Sequence, residues 1–193
     1  MLFGNAGLII AGVVVLLIVL LIFWVIGAYN KLVKARNKVK NSWSQIDVQL
    51  QRRFDLIPNL VETVKGYTKH ENDILGAFAK ARTMFESAKA SGSVGEMSNA
   101  NEALGTTLGR LMVVQEQYPE LKPDVHFNKM LSELKDTEEK IAYSRQFYND
   151  VVLSYNNNRE VFPTVLIANM FGFKEEEYFK TEESARSAVK VQF

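Results

Sequence analysis

The stretch Leu8 to Ala28 reads LIIAGVVVLLIVLLIFWVIGA, 21 residues without a charge, and no charged side chain precedes Lys31. At about 1.5 Å per residue such a helix covers ~32 Å, close to the ~30 Å hydrocarbon core of a bilayer. The core helix of a soluble protein rarely runs this long without one charge. We therefore read it as a transmembrane helix, and the chain divides into an anchor (1–30), a helical domain (31–173) and a charged tail (174–193). About 160 residues remain outside the anchor, enough for one compact domain.

Charge is distributed along the chain in a way that orients the anchor. The seven residues before it carry no charged side chain, whereas Lys31, Lys34, Arg36, Lys38 and Lys40 follow it within ten residues. By the positive-inside rule the N-terminus faces out and the domain faces the cytoplasm. A cleaved signal peptide needs a basic leader and a small-x-small exit; the leader is missing, and Gly27-Ala28 runs into Tyr29 and Asn30, so an uncleaved single-pass anchor is expected. Trp24 and Tyr29 sit near its inner end, where amphipathic aromatics belong. Lys31, Lys34, Lys38 and Lys40 are in reach of anionic headgroups, a contact worth about 1 kcal/mol per charge near the surface. From Phe54 onward there are 16 basic and 21 acidic side chains, so the distal body is mildly acidic. Gly4, Gly7 and Gly12 make no clean small-xxx-small face for anchor dimerisation.

Beyond the anchor the apolar residues recur at helical spacing. Leu32, Ala35, Val39, Trp43, Ile46 and Leu50 form one stripe, followed by Phe54 and Ile57. Nothing between Ala28 and Ile57 interrupts the helix, so it is expected to continue straight out of the membrane. Pro58 lacks an amide hydrogen for the carbonyl of Phe54 and predicts a kink or short break. Ile74, Leu75, Phe78, Ala81 and Phe85 carry a second helix to about Ala90, SGSVGE at 91–96 is a turn, and a third helix runs from about Glu96 to Gln117. Tyr118-Pro119 to Pro123 forms the next connection. Asp124 is a suitable N-cap for a long fourth helix to about Asn158, which is expected to fray after Asn156-Asn157-Asn158. On that helix Asn149 and Asn156 are seven apart, as are Tyr148 and Tyr155, with Arg145 one turn earlier. Buried amides need partners. Arg145, Asn149 and Asn156 therefore either face solvent or form a polar seam that fixes register against another helix. The segment TVLIANMFGF, 164–173, is too short to cross a bilayer and either caps the bundle or touches the membrane surface. The terminal residues are expected to be loosely ordered. The predicted fold is all-α: a transmembrane helix continuing into an antiparallel bundle of about four long helices, with a short C-terminal capping helix.

Residue types bound the chemistry. There is no Cys, which excludes disulfides and thiol nucleophiles. His70-Glu71 resembles the start of a zinc-protease motif, but Ile74 occupies the position of its second His, and His126 is the one other histidine. No Gly-rich phosphate loop, carboxylate cluster with metal spacing or Ser-His-Asp arrangement is present. The reading is of a protein that is not an enzyme, with no catalytic, metal-binding or cofactor-binding residues, no small-molecule substrate and no nucleic-acid partner.

Several separated strings resemble the LemA family of bacterial membrane proteins: RRFDLIPNLVETVKGYTKHE (52–71), YPELK (118–122), TEEKIAYSRQFYNDVVLSYN (137–156), and FPTVLIANMFGF (162–173) followed by Tyr178-Phe179. Glu139 and Val165 stand where Asn is common in that pattern. The resemblance covers nearly the whole chain. It implies an antiparallel bundle behind one membrane helix in the bacterial inner membrane, and no established catalytic activity.

The leading functional reading is a non-enzymatic, membrane-anchored scaffold that self-associates and organises the membrane or its proteins. Membrane lipids and further copies of the chain are then its partners. The stripe from Leu32 to Leu50 is longer than one short bundle needs, and Leu32, Val39, Trp43, Ile46 and Leu50 are its expected oligomer or partner face. On that reading Trp43→Glu dissolves an oligomer without unfolding the monomer. Two other readings are an adaptor for a different membrane protein, such as an envelope protease, and direct membrane remodelling through the basic segment and 164–173.

Overall fold

A computed structural model describes residues 2–67, 72–117 and 124–180. His70 of the incomplete zinc-protease motif, the YPELK connection and the residues 181–193 lie outside the described residues. The fold is all-α. Its helices are α1 (Leu2–Asp55), α2 (Ile57–Tyr67), α3 (Asn72–Ser91), α4 (Val94–Gln117), α5 (Val125–Glu160) and the short α6 (Thr164–Met170).

The first helix is one element of 54 residues, about 81 Å at the standard rise. It includes a stretch long and apolar enough to cross a bilayer, none of which the rest of the chain buries. The chain is thus a single-pass membrane protein. Past Ala28 the same helix buries one stripe: Leu32, Val39, Ile46, Leu50 and Phe54 are essentially inaccessible to solvent. It ends at Asp55, one residue before the break that Pro58 predicts. The helical hydrogen-bond pattern resumes at once, with the Leu60 amide donating to the Leu56 carbonyl at 3.1 Å, so Pro58 falls in the first turn of α2 where its missing amide costs little.

Two compact units are distinguishable, and α1 and α5 each pass through both. One comprises residues up to Asn41 together with Val151–Glu176; the other comprises Ser42–Asp150 with the residues from Glu177 onward. In the second unit Phe54 of α1 stacks on Phe85 of α3, with ring centroids 4.0 Å apart and planes 13° from parallel. Helices α3 and α4 lie against one another. They bury complementary three-four patterns, Ile74, Phe78, Ala81, Phe85 and Ala88 on α3 and Met97, Ala100, Leu104 and Leu111 on α4.

The α3–α4 turn is tighter than the six-residue loop expected from its composition. Only Gly92 and Ser93 separate the helices. Gly92 adopts φ of 68°, the left-handed conformation that closes a helix C-terminus, and its amide donates to the Ala88 carbonyl at 2.9 Å. Ser93 then caps α4 by accepting from the Glu96 amide at 3.2 Å. Asp124 caps α5 as predicted, accepting from the Phe127 amide at 2.9 Å.

Helix α5 buries every seventh residue, Phe127, Leu134, Ile141, Tyr148 and Tyr155, joined by Val152. It runs unbroken through the three asparagines to Glu160, so the expected fraying does not occur. In the first unit Val161 to Pro163 leads into α6, and Phe173 buries itself behind it.

Candidate functional site

The two asparagines predicted on α5 find partners, and the partner is not a helix. The backbone from Phe173 to Lys180 carries no helix and lies against α5. In the first unit the Asn156 side chain forms a two-way pair with Glu176: its Nδ2 donates to the Glu176 carbonyl at 3.0 Å, and its Oδ1 accepts from the Glu176 amide at 3.0 Å. One residue earlier, the Tyr155 hydroxyl donates to the Lys174 carbonyl at 2.8 Å. In the second unit the arrangement recurs seven residues back along α5. Asn149 donates to the Phe179 carbonyl at 3.0 Å and accepts from the Phe179 amide at 2.9 Å. The Tyr148 hydroxyl donates to the Glu177 carbonyl at 2.8 Å.

A carboxamide matches a peptide group because it offers one donor and one acceptor side by side, so each Asn takes the place of a neighbouring strand. The seam thus sets the register of an extended segment. The first seven residues of the region set apart as a tail, Lys174 to Lys180, belong to the folded structure. The same segment is held from α4, where Ser98 Oγ donates to the Lys180 carbonyl at 3.3 Å. Phe179 is buried, with Trp43 tilted against it at 6.2 Å between ring centroids. Arg145, the third residue of the predicted seam, is half-buried and lines a surface cavity with Tyr143, Gln146 and Asp150.

Electrostatics differ between the two tyrosines. Burial pushes the Tyr155 phenol above its ordinary pKa of 10, and the nearby Glu176 carboxylate pushes the same way. Arg36 and Arg159 act against both. Tyr148 instead packs edge-on to Trp43, with ring centroids 5.6 Å apart.

The predicted partner face on α1 is turned inward. Leu32, Val39, Ile46 and Leu50 are buried within the chain, and Trp43 is half-buried against Tyr148 and Phe179. An apolar stripe reads the same whether its neighbour is the same chain or another. Here the chain's own helices and C-terminal segment occupy it, so Trp43→Glu strikes internal packing and not a free surface. Ser42, absent from the predicted stripe, is buried beside it.

The basic cluster also divides. Lys31, Lys34, Lys38 and Lys40 are exposed, as a lipid contact requires. Arg36 is half-buried with its guanidinium 5.1 Å from the centre of the Phe173 ring. Arg53 is fully internal: it donates to Asn101 Oδ1 at 2.6 Å and pairs with Glu138, joining α1, α4 and α5 within the second unit. Composition does not set Arg53 apart from the other basic residues near it. Its alternation with Leu50 and Phe54 on the buried stripe was the signal available. Among the described residues, no group of three or more His, Cys, Asp or Glu comes together as a metal site would require.

The chain is 27% identical over 198 residues to magnetosome protein MamQ 2 of Paramagnetospirillum magneticum, covering 91% of this chain and 73% of the relative. Against magnetosome protein MamQ of Magnetospirillum gryphiswaldense the identity is 27% over 184 residues, covering 83% of this chain and 68% of the relative. Protein LemA of Metamycoplasma hominis is 24% identical over 169 residues, covering 86% and 75%. The model of the LemA family matches residues 42–193, which begins in α1 and takes in the long helices, α6 and the segment bound along α5. With that match spanning most of its length, this membrane-anchored chain belongs to the LemA family.

Proposed function

We propose that this protein is a non-enzymatic scaffold of the bacterial inner membrane, with its N-terminus outside and its helical domain in the cytoplasm, that works by associating with further copies of itself. The observation that carries this reading is the continuity of α1, in which the apolar membrane segment and the buried residues Leu32, Val39, Ile46 and Leu50 share one helix. Such a helix couples a bilayer to a folded domain without a flexible linker. Confinement to two dimensions raises the effective concentration of each copy for its neighbours. The outer side of α5 is the surface that a second copy would use. There Tyr143 and Phe147 stand one turn apart, both exposed, in place of the inward-facing stripe on α1. The exposed lysines 31, 34, 38 and 40 add attraction to anionic lipid and favour the cytoplasmic placement of the domain.

The test is the mass of the full-length protein in mild detergent by light scattering. A multimer that Tyr143→Lys with Phe147→Glu reduces to single copies supports the scaffold. A monomer for the unaltered chain rejects self-association. A monomer recovered in fixed ratio with a different membrane protein makes the chain an adaptor instead.

A further inference from the structure

The segment Val161 to Phe173 reads VFPTVLIANMFGF, thirteen residues without a charge. Its helix α6 turns Ile167 and Ala168 inward. The opposite side is a ridge at four-residue intervals that none of the described residues covers: Phe162 is 80% exposed, Leu166 55% and Met170 71%, with Phe171 adjoining at 52%. Four large apolar side chains exposed within ten residues are costly in water.

The place of this ridge in the fold identifies what it meets. Tyr29 directly follows the apolar run of α1, at the level where the hydrocarbon core gives way to headgroups. Its ring lies edge-on to Phe171 at 4.9 Å and to Phe173 at 5.6 Å, within the first unit. Arg36, two turns further along α1, holds the other contact to Phe173. The ridge is thus tied to the membrane-water boundary by the helix that crosses it, and the exposed Lys31 and Lys34 flank the same level. We propose that α6 lies in the bilayer interface, with Phe162, Leu166, Met170 and Phe171 inserted among the lipids around the spanning helix. A short amphipathic helix in this position sinks to the boundary between headgroups and acyl chains. The segment then both closes the end of its unit, through Ile167, Ala168 and Phe173, and contacts lipid, through the ridge. The proposal rests on α1 spanning the membrane.

The chain lacks cysteine, so single introduced cysteines can carry a spin label without background. Full-length Leu166→Cys and Met170→Cys proteins are labelled and reconstituted in vesicles of phosphatidylcholine and phosphatidylglycerol. Ile18→Cys in the spanning segment and Val48→Cys, exposed further along α1, serve as references. Labels at 166 and 170 are expected to collide more with oxygen and less with a water-soluble nickel chelate than the label at 48, approaching the label at 18. Labels at 166 and 170 that match the one at 48 overturn the proposal. Poor access to both reagents also overturns it, because that pattern marks cover by protein. A label at 18 that reports water refutes the spanning helix itself and the proposal with it.

Discussion

The two Tyr-Asn pairs of α5 perform the same task in different surroundings. Tyr155 and Asn156 hold Lys174 and Glu176 in the first unit, and Tyr148 and Asn149 hold Glu177 and Phe179 in the second. The hydrogen-bond pattern is the same, with lengths of 2.8 to 3.0 Å in both. Their environments differ: Asn156 is buried and Asn149 half-buried, while Tyr155 stands among Glu176, Arg36 and Arg159 and Tyr148 against Trp43. An identical bond contributes more where water cannot replace it, so burial and not bond count ranks the pairs.

Removing the shared partner has the largest expected effect. A chain ending at Phe173 loses six hydrogen bonds to α5 that a chain ending at Lys180 keeps. At about 1 kcal/mol each, with the burial of Phe179 in addition, the loss is on the order of 5 kcal/mol or more. Urea unfolding of the two truncated proteins in detergent, followed by circular dichroism, measures it. Equal midpoints mean that the segment is not held as described.

Single substitutions rank next and separate the pairs. Asn156→Ala removes a buried carboxamide and leaves both backbone groups of Glu176 without their partner, a cost of about 2 kcal/mol. Asn149→Ala does the same to Phe179 by removing a half-buried carboxamide whose place water can take, and costs about 1 kcal/mol. Unfolding midpoints in the reverse order would show that packing around Phe179 outweighs access to water.

The smallest effect depends on pH. Because the folded Tyr155 keeps its proton more tightly than the unfolded chain does, its contribution is fully present below pH 10. That contribution is lost as pH rises through the raised folded value. Stability of the unaltered protein should therefore decline above pH 10, and Tyr155→Phe should flatten part of the decline. An unchanged slope in Tyr155→Phe would assign the decline to other groups.

Much of this arrangement was legible beforehand, for reasons that particular residues make plain. The charge-free run, the break at Pro58 and the cap at Asp124 depend on local geometry, which a few neighbouring residues determine. The seven-residue recurrence of Tyr148-Asn149 in Tyr155-Asn156 marked a polar seam on α5. What it faced was illegible, because the segment contributes its backbone, and a backbone leaves no pattern of residue types. The burial of Arg53 was illegible for a related reason: a charge in a sequence carries no sign of burial until Asn101 and Glu138, 48 and 85 positions away, are brought to it. The stripe from Leu32 to Leu50 is legible as a pattern but its neighbour is not, since complementarity to oneself and to a partner use the same residues.

The unbroken course of α1 carries a mechanical consequence. Each residue of a helix advances the azimuth by about 100°. With Leu32 and Val39 locked into the domain, the side of the spanning segment that meets any neighbour in the bilayer is set by that domain. One residue added between Ala28 and Lys31 would keep the composition of the anchor and turn it by more than a quarter of a circle, so the phase of this helix is as much a part of the protein's specification as its hydrophobicity.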